Sequence, residues 1–241
     1  MAGETLFNAT KYFKPFPDPS DVFANDVDQH CRHLLPLATL DLSHVNGKWS
    51  GLIHFVAPAF QTQTRWSGRH QTHHCRGLWL GFNVANDKLQ LECDFEYFKT
   101  PKTADELKWY RMANEGLALR LQHFREHKSL HNPWAKRRKG QYDDNDRVEL
   151  VENLGGHPFR SNWSESQFPL VDGSLERDRF GNEMQTVFPC TEDNRPFSYI
   201  GSMRIPHYVA ENDEYACVVS GTLMLFYDHE QRIALTTVEL S

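Results

Sequence analysis

Between residues 88 and 98 the chain alternates without a break. Leu89, Leu91, Cys93, Phe95 and Tyr97 fall between Gln90, Glu92, Asp94 and Glu96. A period of two with one apolar face predicts an antiparallel strand lying over a core. Asn86-Asp87 just before it is a hairpin signal and pairs it with a strand over 77–84. Residues 40–42 and 49–57, rich in branched and aromatic side chains, predict further strands. Later in the chain, 148–151 predicts a short strand. Residues 196–205 carry Phe197, Tyr199, Met203 and Ile205 on one face. A continuous apolar run at 222–227 and the segment 232–240 complete the strand set.

Helical spacing appears clearly once. Leu107, Tyr110, Leu117, Leu121 and Phe124 recur along one face, and Thr103 with Glu106 three residues on forms a capping box. The pattern runs to about 128 and meets Asn132-Pro133. A shorter helix is predicted over 21–35, entered through Ser20 or Asp21 and stopped by Pro36. The predicted class is α+β, with antiparallel sheets in two strand-rich halves and one long helix (about 103–128) between them. The predicted organisation is an irregular segment with a short helix at 1–36, a strand-rich half plus helix at 37–134 and a second strand-rich half at 148–241. Residues 135–147 (AKRRKGQYDDNDR) are charge-dense and poor in apolar side chains, which marks a mobile loop joining the halves of one compact unit.

Composition changes this picture in two ways. The 16 Phe, 8 Tyr and 6 Trp supply large buried areas, so a chain of 241 residues has enough apolar surface for an ordered core. Charge is split by position: residues 31–140 hold 17 Lys and Arg against 9 Asp and Glu, whereas residues 141–241 hold 7 against 18. A basic middle beside an acidic C-terminal half suits a protein that binds a charged partner. No run of ~18 apolar residues is present, so no membrane span is expected. The start, MAGETLF, has no basic-then-apolar leader pattern. The five cysteines are odd in number, scattered and free of C-x-x-C pairs, which reads as reduced thiols in a cytoplasmic protein.

The last third carries three spaced motifs. Gly155-Gly156-His157-Pro158 is followed by Arg195-Pro196-Phe197-Ser198-Tyr199-Ile200-Gly201-Ser202-Met203 and then by Gly221-Thr222-Leu223-Met224-Leu225-Phe226-Tyr227-Asp228. In order and spacing they resemble the YwqG-like family of bacterial proteins, a domain of unknown function. Ser202 stands where that family has glutamine. Cys190, with Asp193 three residues on, stands where some members have a zinc-binding cysteine pair. The resemblance implies a bacterial setting in which similar domains serve as immunity proteins. Such proteins sit beside polymorphic toxins, including nucleases of type VI secretion systems. A nuclease toxin is basic where it grips phosphate, so its inhibitor needs carboxylates.

The candidate contact residues are therefore Glu176, Asp178, Glu192, Asp193, Glu211, Asp213 and Glu214, with Trp163, Phe168, Phe180 and Tyr208 as aromatic anchors. The expected partner is a cognate basic toxin, with no cofactor, no bound metal, no direct nucleic-acid contact and no catalytic residue. The alternative is a metal-dependent hydrolase built on His70, His73, His74 and Cys75, whose side chains are zinc-ligand types. Flanking Arg69 and Arg76 repel a cation there, and a polar loop is the ordinary reading of such a run. His30 and His33 share one face of the first predicted helix, where a surface pair is the ordinary reading. Lys136-Arg137-Arg138-Lys139 lies within reach of Asp143, Asp144 and Asp146, which neutralise it.

Overall fold

The computed structural model describes residues 3–59, 68–131, 142–165, 168–178, 180–205 and 221–240. The chain opens with β1 (Glu4–Leu6), β2 (Phe13–Pro15), α1 (Pro19–Val22) and α2 (Val27–His33). It continues through β3 (Leu34–Asp41), α3 (Leu42–Val45), β4 (Leu52–Pro58), β5 (Leu80–Ala85) and β6 (Lys88–Leu91). The long helix α4 (Ala104–His127) and β7 (Leu130–His131) come next. Then follow β8 (Arg147–Val148), β9 (Val151–Leu154), β10 (Leu170–Arg177), β11 (Glu183–Pro189), β12 (Ser198–Arg204), β13 (Gly221–Asp228) and β14 (Ile233–Leu240). The class is α+β, and every pair of named strands is antiparallel.

A seven-stranded sheet in the order β1-β9-β12-β13-β14-β5-β6 dominates. It does not respect the two halves read from the chain, because β14 pairs with β5 from Ile233↔Asn83 to Thr236↔Leu80. Both faces of this sheet are covered, which explains the unbroken apolar run in β13. Leu223, Leu225 and Tyr227 point into a large core shared with the small sheet β2-β3-β4, while Met224 and Phe226 point into a second, aromatic core.

Several local expectations change on contact with the structure. Strand β6 stops at Leu91, well short of 98, because the Asp94 carboxylate accepts from the Glu96 amide and caps a 3-10 turn at Phe95–Tyr97. The Asn86-Asp87 hairpin holds, both residues having positive φ (52° and 61°) as its tight turn requires. The single face expected over 196–205 is split. Phe197 and Tyr199 lie in the aromatic core and Met203 in the large core, because the register shifts between Tyr199 and Gly201. Gly201 permits this bulge, since a Cβ there would lie 2.7 Å from the Asn153 carbonyl oxygen.

The first predicted helix is two short ones, and residues 34–35 belong to β3, where Pro36 sits at a register shift. Helix α4 has the capping box that its sequence announces, but it ends earlier than Asn132-Pro133, at Lys128 in the left-handed conformation. Of the three motif segments of the last third, the second and third fall largely on the paired strands β12 and β13, while Gly155-Gly156-His157-Pro158 lies just after β9, which pairs with β12 on its other side. Among the described residues, no helix is long and apolar enough to cross a membrane.

Buried histidines give this fold a pH dependence. His54, 1% exposed, contacts the Thr39 hydroxyl at 2.8 Å through Nδ1 and the Asp87 carbonyl at 2.7 Å through Nε2. Burial lowers the pKa of His54, and it is also the first cause of the lowering at His30, His33, His73 and His131. A lowered pKa means that the unfolded chain binds more protons. Stability therefore falls as pH drops through the unfolded value of about 6.5. The urea midpoint is expected to decrease from pH 7.5 to pH 5.5, each histidine contributing at most about 1.4 kcal/mol per pH unit. His54→Gln should make that slope shallower.

Candidate interaction surface

The two-stranded ribbon β10–β11 forms a sheet of its own, and most of β10 is exposed. Its base is rooted in the body. Val187 is fully buried in the aromatic core, the Val187 amide donates to the Pro158 carbonyl, and the Arg160 amide donates to the Gln185 carbonyl. Its far end is more exposed. Leu175 is 65% exposed and the tip residue Phe180 is 75% exposed, the largest values among the big apolar side chains described. Apolar side chains left this open suit a contact surface better than a free one.

Asp178 builds the tip. One carboxylate oxygen accepts from the amides of Phe180 (2.8 Å) and Asn182 (2.9 Å), and the other accepts from the Asn182 side chain (3.0 Å). The Asn182 side chain is the first cause that holds this carboxyl below its usual range. Gly181 completes the turn at φ +87°, a conformation that suits glycine. Asp178 is thus committed to shaping the loop that presents Phe180. Around it, Glu176 accepts from the Ser174 hydroxyl and lies 3.8 Å from His157. Glu183 pairs loosely with Arg177 at 3.4 Å, both exposed.

The other expected contact residues scatter. Glu192 is open to solvent, its side chain 82% exposed, and approaches His73 Nδ1 at 3.5 Å. Asp193 takes a hydrogen bond from the Thr191 hydroxyl, the first cause of its lowered pKa, inside the tight turn that ends at Arg195. Trp163 and Phe168 are not anchors. At 2% and 3% exposure they pack against Trp79 in the aromatic core, where a partner cannot reach them. Their loop-like sequence setting hid this, because core membership depends on the sheet brought beneath them. Tyr208, Glu211, Asp213 and Glu214 lie outside the described residues, as do Lys136-Arg137-Arg138-Lys139.

The histidine loop is dispersed among separate carboxylates. His70 faces Asp94 (3.1 Å) and Glu96 (3.3 Å), His73 faces Glu192, and His74 meets Glu92 at 2.5 Å with both side chains mostly buried. Among the described residues, no group of three or more His, Cys, Asp or Glu side chains is arranged to hold a metal ion. His30 and His33 pack on aromatic rings: His30 stacks on Phe23, and His33 stacks on Phe98 and Phe95.

One grouping escaped the reading of the sequence. His123 and His131 touch, Nε2 to Nδ1, at 2.9 Å, and Tyr142 lies against both rings and against His127. The signal was present as three histidines spaced by four, two of them one turn apart on α4. Comparison with protein-family models, with curated proteins and with solved structures returns no match, so the residues and their geometry alone carry the functional reading.

Proposed function

We propose that this chain is an immunity protein of the YwqG-like kind. It binds a cognate bacterial toxin, a basic nuclease delivered by a secretion system, and occludes its substrate groove in the cytoplasm of the producing cell. The observation that carries the reading is the ribbon tip: exposed Phe180 and Leu175 stand among Glu176 and Glu183 in the acidic half of the chain. An apolar anchor with Glu176 and the Arg177-paired Glu183 beside it suits a groove lined with Lys and Arg. The anchor supplies affinity, and the charges supply encounter rate and discrimination. The family resemblance rests on the order and spacing of the three motifs in the chain, the second and third of which fall largely on the neighbouring strands β12 and β13.

The test is binding to the toxin encoded beside this gene, measured by biolayer interferometry. Phe180→Ala should weaken the complex about 30-fold, the effect of losing one interface hot spot of ~2 kcal/mol. Glu176→Lys with Glu183→Lys should slow association, with a deficit that shrinks as salt rises. Absence of any complex at micromolar concentration removes the proposal.

A further inference from the structure

A cavity of about 360 Å³ lies beside the first turns of α4. Three pieces of chain form its walls: the end of α2 at Arg32 and His33, the segment 98–101, and α4 at Leu107 and Tyr110. Each pair of walls is tied. The Tyr110 hydroxyl donates to the Arg32 carbonyl at 2.5 Å and joins α4 to α2. The His33 ring stacks on Phe98, with centroids 4.8 Å apart and planes 11° from parallel, and joins α2 to the segment. Lys99 Nζ donates to the Glu106 carboxylate at 2.5 Å and joins the segment to α4. A cavity braced in this way keeps its shape before a ligand arrives, which lowers the ordering cost of binding. Its size falls within the range of small-molecule sites.

The lining has two characters. Phe98, Pro101, Leu107 and Tyr110 give a wall of rings and apolar carbon. Phe98 is buried in that wall, whereas Leu107 is 46% exposed, so the cavity meets solvent there. Arg32 supplies positive charge. Among the described residues no carboxylate pairs with its guanidinium, whereas Lys99 is held by Glu106. His33 adds no second charge near neutral pH, because burial first, and then Arg32 and His30, lower its pKa. The neighbouring sequence has the same sign: residues 99–111 hold Lys99, Lys102, Lys108 and Arg111 against Asp105 and Glu106. They belong to the basic middle of the chain, which the toxin-binding reading leaves unused.

We propose that this cavity binds a small organic monocarboxylate with a flat apolar body, the body lying against Phe98, Pro101 and Tyr110 and the carboxylate paired with Arg32. A guanidinium fork matches the two oxygens of a carboxylate, and the bond is charge-assisted. Ring faces in the wall favour a flat body over a branched one. One unpaired cation suits a head with a single negative charge, since a phosphate dianion would leave a charge uncompensated. The lining shares no residue with the ribbon β10–β11, so binding here is a second property of the chain. Its test involves no toxin.

The experiment titrates the full chain with naphthalene-2-carboxylate and with its neutral counterpart 2-naphthamide, by isothermal titration calorimetry. Uptake of the carboxylate should saturate at one equivalent below about 1 mM, and the amide should bind about tenfold more weakly for want of the charge-assisted pair. Arg32→Gln should weaken the carboxylate about tenfold and leave the amide unchanged. Leu107→Glu should weaken the carboxylate by setting a like charge at the mouth. Both positions are exposed, so both variants should fold, which circular dichroism checks. The comparison of the two ligands on the unsubstituted protein decides the matter even if a variant fails to fold. No saturable uptake of the carboxylate by about 1 mM, equal affinity for the amide, or a carboxylate affinity that neither substitution moves would overturn the proposal.

Discussion

Trp79→Ala should lower the unfolding free energy by about 3–5 kcal/mol, the usual cost of emptying a buried aromatic site. Trp79 is fully buried at the centre of the aromatic core, with ring centroids 4.6 Å from Phe168, 5.8 Å from Phe226 and 5.9 Å from Trp163. These neighbours come from separate segments, and Phe226 lies on the central strand β13, so the site cannot collapse without moving the sheet. Urea denaturation checks the value. A midpoint shift at unchanged slope is expected, with Trp79→Phe costing distinctly less because most of the volume stays filled. A change under about 1 kcal/mol would show that this core is loosely packed. The ribbon is rooted here through Val187, so the same variant should also weaken partner binding by loosening the base on which Phe180 is held.

Arg195→Ala is the second large effect, expected to cost about 3 kcal/mol by stranding a buried carboxylate. Asp228 is 2% exposed. One of its oxygens accepts from Arg195 at 2.6 Å and from the amides of Glu230 and Gln231 at 2.9 and 3.2 Å. Its other oxygen is buried with no hydrogen-bond partner among the described residues. The guanidinium is 30% exposed, so water entering its place offsets part of the loss, which sets the estimate at the lower end of the range for a broken buried pair. The hydrogen bond to Asp228 is the first cause that raises the Arg195 pKa, as expected for a cation held by a buried anion. Adding Asp228→Asn to Arg195→Ala should recover stability, since the neutral amide no longer needs a counter-charge. Additive losses in that double-mutant cycle would show that the pair is not coupled. The pair also joins two of the motifs in the last third, Arg195-Pro196-Phe197 just before β12 and Phe226-Tyr227-Asp228 at the end of β13, which lie side by side in the antiparallel pair.

How much was legible depended on the range of the interactions involved. The capping box at Thr103 and Glu106 and the hairpin at Asn86-Asp87 were readable because a few neighbouring residues satisfy their own backbone groups. The strand over 88–98 was overextended for a related reason. Alternation predicts which side chains are buried, and Leu89, Leu91 and Tyr97 are, but it does not register that the Asp94 carboxylate offers the backbone a competing turn. Gly201 was readable as a bulge, yet its consequence, the transfer of Phe197 and Tyr199 to a different core from Met203, depends on where β9 and β13 pair.

The candidate site divides in the same way. Glu176 and the exposed Phe180 were named from the chain, while Trp163 and Phe168, equally aromatic and equally loop-placed, proved to be core. A loop position says nothing about which side chain a distant sheet will cover. By itself, the order of residues determined the α+β class, the helix with its cap and the split of charge between the middle and the end, because periodicity, capping and composition are local or additive properties. Only the tertiary structure decided that both halves share one sheet, that Trp163 and Phe168 are buried in the aromatic core and that Phe180 is 75% exposed. Each of these depends on contacts between segments far apart in the chain, whose register is set by packing.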